Sequence, residues 1–217
     1  MNKYQNYKAV LFDLDGTLLD TSDGILRAID ETIVTCNLPD IPLELKKTMI
    51  GPPINQSLQT IYALSDEETE RATNVFRKCY AEKYLFYAEA YPGIFDMLKN
   101  LRENNWKIGV ATYKRNDYAQ TLLQQTGLLN LCDYALGSDG KDQTKADIIK
   151  CCLIELGIEA KDCIMIGDTI HDAIGAEKVG AAFIGVTYGF GFKNKKEVIG
   201  DFVIGVVDTT KELSALL

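Results

Sequence analysis

Residues 10–21 read VLFDLDGTLLDT: an apolar run stops at Asp13, a second acid follows at Asp15, and Gly16 and Thr17 come next. Carboxylates at the buried end of a strand are costly unless a cation or a reaction partner meets them. Strand alternation points residues i and i+2 to one side, so Asp13 and Asp15 are expected to share one site. Gly16 lets the backbone turn tightly after them. Two acids that close cannot both ionise without a compensating charge, which points to a hard, oxygen-preferring cation. An EF-hand loop would need its glycine at the sixth position and a glutamate at the twelfth. Here the glycine is fourth from Asp13 and position 24 is another glycine, so that reading fails.

The elements that must carry these acids alternate between strand and helix from residue 106 onward. WKIGVAT (106–112) reads as a strand and DYAQTLLQQTGL (117–128) as a helix. CDYALGS (132–138) and KADIIKCCLIELGI (145–158) repeat the cycle, and DCIMIGD (162–168) with HDAIGAEKVGA (171–181) repeats it again. AFIGVTYG (182–189) and DFVIGVV (201–207) are two further strands. Such alternation predicts an α/β fold with a parallel sheet covered on both faces. Residues 20–88 differ: helical spacing runs through 23–36 and 66–86, with a proline- and glycine-rich bend at 42–54 between them. This stretch is expected to be a helical insertion, with joints near 19 and 88.

Ligands of open parallel sheets bind at the carboxyl ends of strands. Four polar groups are expected there: Asp13 with Asp15, then Thr112, then Lys145, then Asp168 with Asp172. Alone, Thr112 is an ordinary strand residue and Lys145 an ordinary helix-start lysine. A cation at a helix N-terminus opposes the helix dipole, however, so that placement favours a role. Lys141 and Lys150 compete for it.

In that order, Asp-x-Asp, Thr, Lys and Gly-Asp-x-x-x-Asp resemble the four motifs of the haloacid dehalogenase-like superfamily of Mg-dependent aspartyl phosphotransferases, across essentially the whole chain. The resemblance implies a Rossmann-like three-layer core, residues 1–19 and 88–217, and an all-helical cap, residues 20–87. It implies that Asp13 is the nucleophile, forming an aspartyl-phosphate, and that Asp15 is the acid and base. It implies Mg2+ held by Asp13, the main-chain carbonyl of Asp15, Asp168 and waters, one of them on Asp172. Thr112, the adjoining backbone N–H groups at Tyr113, and Lys145 would bind the phosphoryl oxygens, with Lys145 also stabilising the nucleophile and transition state. His171 is expected to be incidental. Lys114 and Arg115 are further candidates for contact with substrate phosphate.

YPGI, VATYK, GDTIHDAIGA, IGPPI and VTYGFG resemble phosphoglycolate-phosphatase-like members, whereas GSDGKDQTKADII is closer to members assigned as 5′-nucleotidases. The implied activity is hydrolysis of small phosphate monoesters, with phosphoglycolate or a nucleoside monophosphate leading. A sugar phosphomutase or a pyrophosphatase shares the chemistry. Substrate choice would lie in the cap, around Gly51 to Gln56. A phosphonatase would need a cap lysine, for which Lys46 and Lys47 are candidates. A phosphoacceptor signalling domain is disfavoured by the insertion and by the late Gly-Asp-x-x-x-Asp.

The 217 residues, 47% hydrophobic and 25% charged, allow one large domain or a core with a modest insertion. A net charge of −8 argues against a nucleic-acid backbone as partner. No apolar run reaches membrane-spanning length, and the first residues lack the apolar stretch of a secretion signal. A cytoplasmic protein, monomeric by default, is expected. The six cysteines include no C-x-x-C pair, so reduced thiols are expected rather than zinc.

Overall fold

The computed structural model describes Tyr4, residues 6–139 and residues 143–217. In chain order the first elements are β1 (Ala9–Phe12), β2 (Leu19–Asp20), α1 (Ser22–Thr35), α2 (Leu43–Lys47), α3 (Ile54–Tyr62), α4 (Asp66–Cys79) and β3 (Glu89–Ala90). Next come α5 (Ile94–Glu103), β4 (Lys107–Arg115), α6 (Asn116–Thr126), β5 (Tyr134–Ser138) and α7 (Lys145–Leu156). The last are β6 (Cys163–Gly167), α8 (Ile170–Val179), β7 (Ala182–Val186), β8 (Val203–Val207) and α9 (Thr210–Leu216).

Six strands form one sheet in the order β5-β4-β1-β6-β7-β8, and every pairing is parallel. Alternate residues of each strand feed two cores. Val10, Phe12, Ile108, Val110, Ile164 and Ile166 face one side, with Leu98 of α5 and Leu122 of α6. Ala9, Leu11, Ala111, Cys163 and Met165 face the other, with Ile148 and Cys152 of α7 and Ala176 of α8. Burial on both faces is why these strands read as unbroken apolar runs. The chain builds β4 and β5 on one side of β1, then crosses through α7 to build β6, β7 and β8 on the other. The strand order therefore reverses beside β1, where a crevice opens at the carboxyl ends.

The all-helical insertion between β2 and β3 is the cap. β2 and β3 pair antiparallel, Leu19 opposite Ala90 and Asp20 opposite Glu89, so the two crossings are tied together. Tyr91 N–H donates to Leu18 O at 3.1 Å and extends the tie. The bend at 42–54 holds the short α2, which sequence spacing did not reveal, before Pro52 and Pro53 lead into α3. Residues 66–86 were expected as one helical stretch. The chain winds without a break from Asp66 to Tyr84: α4 starts from a Ser65–Glu68 capping box and ends at Cys79, and Tyr80–Tyr84 continues it as a π-helix. Single π turns inside helices often mark functional positions. All six cysteines are free thiols. Among the described residues no helix is long and apolar enough to cross a membrane.

Candidate active site

Asp13 is the first residue beyond β1, and its N–H donates to Ile166 O at 2.8 Å, so β6 fixes its backbone. Its Oδ1 accepts from Lys145 Nζ at 2.6 Å. The same ammonium lies 2.6 Å from Asp172 Oδ1. Lys145 opens α7 behind the Thr144–Asp147 capping box, and its side chain is buried. Its first-turn N–H, which has no partner within the helix, donates to Tyr113 Oη at 2.8 Å. Gly175 of α8 makes room for it: a Cβ there would stand 2.9 Å from Lys145 Cγ. Lys150, the competing lysine, is exposed on α7, and Lys141 lies outside the described residues.

Asp172 does two jobs. Its Oδ2 accepts from Thr169 N at 3.0 Å and Thr169 Oγ1 at 2.7 Å, completing the capping box of α8. Its Oδ1 faces Lys145. Asp168, fully buried, accepts through Oδ2 from Phe190 N at 2.7 Å and Gly191 N at 3.1 Å. Its Oδ1 has no hydrogen-bond partner among the described residues. Gly16 abuts this carboxylate at φ +82°, and a Cβ there would sit 2.4 Å from Asp168 Oδ2.

Asp13 and Asp15 lie close enough for the Asp15 charge to raise the Asp13 carboxyl, but each takes a different lysine. β1 ends at Phe12, so Asp13 to Asp15 no longer follow the pleat. The Asp15 carboxylate turns toward the cap, where Lys114 Nζ donates to its Oδ1 at 2.9 Å and Oδ2 at 3.2 Å. Lys114 also donates to Tyr80 Oη of the cap at 2.8 Å. Nothing in the spacing pairs residues 15, 80 and 114. Arg115, the other candidate, is paired with Asp117.

Thr112 is buried, and its Oγ1 accepts from Lys114 N at 3.1 Å where β4 slips register against β5. The Tyr113 side chain supports Lys145 and meets the ring of His171 edge-on, 5.5 Å between centroids. Burial lowers the His171 pKa. Gly51 and Gln56 line a cavity of about 450 Å³ together with Asp15, Tyr80, Tyr113, Lys114 and Tyr118, between cap and core. Lys46 is paired with Asp30 and Asp40, and Lys47 with Glu44, so neither offers a free amine.

The electrostatics call for a cation. Burial pushes the Asp13 carboxyl up to about 7; Lys145 opposes the rise and Asp172 adds to it. Burial, then the charges of Asp172 and Asp13, push Asp168 up to about 8 against the Phe190 and Gly191 N–H groups. Burial pulls Lys145 down, but Asp13 and Asp172 outweigh it and hold it above its ordinary value. Carboxylate oxygens of Asp13, Asp168 and Asp172 lie within 4.8 Å of one another. Three clustered buried acids, two of them sharing Lys145 and the third, Asp168, with Oδ1 unengaged among the described residues, fit a hard divalent ion bound through oxygen.

The sequence pattern of haloacid dehalogenase-like hydrolases matches residues 10–186. The chain belongs to that family. A 5′-nucleotidase of Pseudomonas aeruginosa is 31% identical over 191 residues, covering 87% of this chain and 86% of that protein. Phosphoglycolate phosphatase 1 of the same organism is 29% identical over 192 residues, covering 84% and 70%. Among solved structures, a haloacid dehalogenase-like family hydrolase from Streptococcus pneumoniae superposes with a TM-score of 0.88 at 28% identity, covering 97% of this chain and 98% of that one. Phosphatases of this family generally use Mg2+, and Asp13, Asp168 and Asp172 form a buried acidic cluster.

Proposed function

We propose that this haloacid dehalogenase-like hydrolase is a Mg2+-dependent phosphatase of small phosphate monoesters, working through an aspartyl-phosphate on Asp13. The observation that carries this is the buried junction of Asp13, Lys145, Asp168 and Asp172, which suits a dianionic phosphoryl group only when a cation joins it. In this reading residues 20–87 act as the cap, and residues 1–19 with 88–217 as the core.

An Asp13 carboxylate oxygen attacks phosphorus, and the bond to the leaving alkoxide breaks in line with it. Asp15 donates a proton to that alkoxide, then takes one from the water that opens the acyl phosphate. The Thr112 hydroxyl and the backbone N–H groups beside it hold phosphoryl oxygens. Lys145 holds Asp13 in place and offsets the charge that develops on the transferring group. Asp13, Asp168 and the main-chain carbonyl of Asp15 would hold Mg2+, with Asp172 beside them; the ion supplies positive charge that lets a carboxylate approach a phosphate dianion. The cap excludes bulk water from the junction.

The cavity favours a nucleoside monophosphate over phosphoglycolate as the substrate. Its volume of about 450 Å³ has room for a nucleoside, and phosphoglycolate would leave most of it to water. A cytoplasmic setting agrees with six free thiols. Phosphate release is to be measured from phosphoglycolate, nucleoside monophosphates, sugar phosphates and pyrophosphate, with and without Mg2+. The expected result is Mg2+-dependent release that Asp13→Asn lowers by at least about 10³-fold while folding is kept. Release by Asp13→Asn at the wild-type rate refutes the nucleophile.

A further inference from the structure

Tyr80 carries a contact from the cap to the reacting groups. Tyr80 opens the π-wound turn after α4, stacks on Phe76 with centroids 5.7 Å apart, and meets Tyr118 of the core edge-on, also at 5.7 Å. Its hydroxyl accepts from Lys114 Nζ at 2.8 Å, and the ammonium lies 4.7 Å from the ring centroid. The remaining donor capacity of that ammonium goes to the two oxygens of Asp15, at 2.9 and 3.2 Å. The Lys114 side chain is only 5% exposed and that of Asp15 12%. The lysine backbone is held as well, by its N–H bond to Thr112 Oγ1.

An ammonium has three N–H donors, and here each has a partner on the protein. Lys114 is thus committed to Asp15 and Tyr80 rather than aimed at a phosphate. We propose that Lys114 is a positioning residue that holds the Asp15 carboxylate for proton transfer, and that Tyr80 makes this hold depend on the seated cap. The inference rests on the phosphatase reading, in which Asp15 is the acid. The π winding suits the role, because it begins at Tyr80, where the hydroxyl meets the lysine. With the cap displaced, Tyr80 leaves, Lys114 loses one of its anchors, and the carboxylate loses its fixed partner. Proton transfer would then be best organised when the cleft is closed over a substrate.

The test exploits the leaving group. An alkoxide needs a proton as it departs, whereas p-nitrophenolate leaves without one. kcat/KM is to be measured for p-nitrophenyl phosphate and for the alkyl ester that the wild-type protein turns over fastest, in wild type, Asp13→Asn, Asp15→Asn, Lys114→Met and Tyr80→Phe. kcat/KM reports the step in which the leaving group departs, before hydrolysis of the acyl phosphate. Lys114→Met is expected to follow Asp15→Asn, losing about 100-fold on the alkyl ester and less than about tenfold on the aryl ester. Tyr80→Phe keeps the ring and its stack, so folding is preserved, and is expected to lose about three- to tenfold on the alkyl ester alone. If Lys114→Met does not fold, Tyr80→Phe decides the matter alone.

Equal losses on both esters in Lys114→Met overturn the proposal, because a lysine that binds substrate phosphate would act that way. A Tyr80→Phe protein identical to wild type on both esters overturns the coupling to the cap. Wild-type protein with no Asp13-dependent release from either ester overturns the phosphatase reading itself. That outcome is separate from one in which wild type turns over both and the variants lose them equally.

Discussion

Replacing Asp168 by asparagine should stabilise the metal-free protein while weakening its hold on Mg2+. Asp168 is fully buried, and Phe190 and Gly191 N–H groups occupy one of its oxygens. An asparagine can keep that acceptor and remove the charge. In the native protein the carboxyl rises from 3.8 to about 8, chiefly through burial and then through the neighbouring Asp172 and Asp13. The sign follows directly. Below about pH 4 both native and unfolded chains hold this proton, so the group contributes no difference. Between about pH 4 and 8 the native state keeps it and the unfolded state releases it, so stability falls as pH rises. Above about pH 8 the full penalty of a buried anion is present. At about 1.4 kcal/mol per tenfold change in proton affinity, the penalty has a ceiling of about 6 kcal/mol. Local relaxation and water entry bring the expected gain on Asp168→Asn to about 2–3 kcal/mol at pH 9. The assay is urea denaturation in excess chelator at about pH 5 and 9, repeated with saturating Mg2+. Wild type should lose stability between the two pH values in chelator, and Asp168→Asn should lose less. Mg2+ should restore wild type and do little for the variant. An Asp168→Asn protein less stable than wild type in chelator at the higher pH refutes the reasoning, because the two N–H bonds would then outweigh the charge.

Two glycine substitutions probe the same junction from its walls. Gly175→Ala places a Cβ 2.9 Å from Lys145 Cγ and Ile149 Cδ1; it should lower kcat by about tenfold or more and cost about 1–3 kcal/mol, and an unchanged kcat would show that Lys145 tolerates displacement. Gly16→Ala must adopt φ +82° and would bring a Cβ within 2.4 Å of Asp168 Oδ2. Calorimetric titration should find Mg2+ affinity reduced by about tenfold or more, with about 1–3 kcal/mol of strain; wild-type affinity in a folded variant would contradict the close approach.

Local order was legible along the chain because local physics produces it. The double-sided burial of β1, β4, β6 and β7 leaves apolar runs, and Gly157 and Gly180 end α7 and α8 in the left-handed conformation, at φ +67° and +79°. The order Asp13, Thr112, Lys145, Asp168 at strand ends was legible for the same reason: a parallel sheet delivers successive carboxyl ends to one edge. Tertiary structure alone decided which charges meet. Asp172 completes the capping box of α8 while it faces Lys145, Asp13 pairs with Lys145 but Asp15 with Lys114, and Lys114 joins Asp15 to Tyr80, a partner 34 residues away. Those pairings depend on side-chain direction and on where the π turn places Tyr80. Such geometry is set by packing between elements distant in sequence, and no periodicity within any one of them records it.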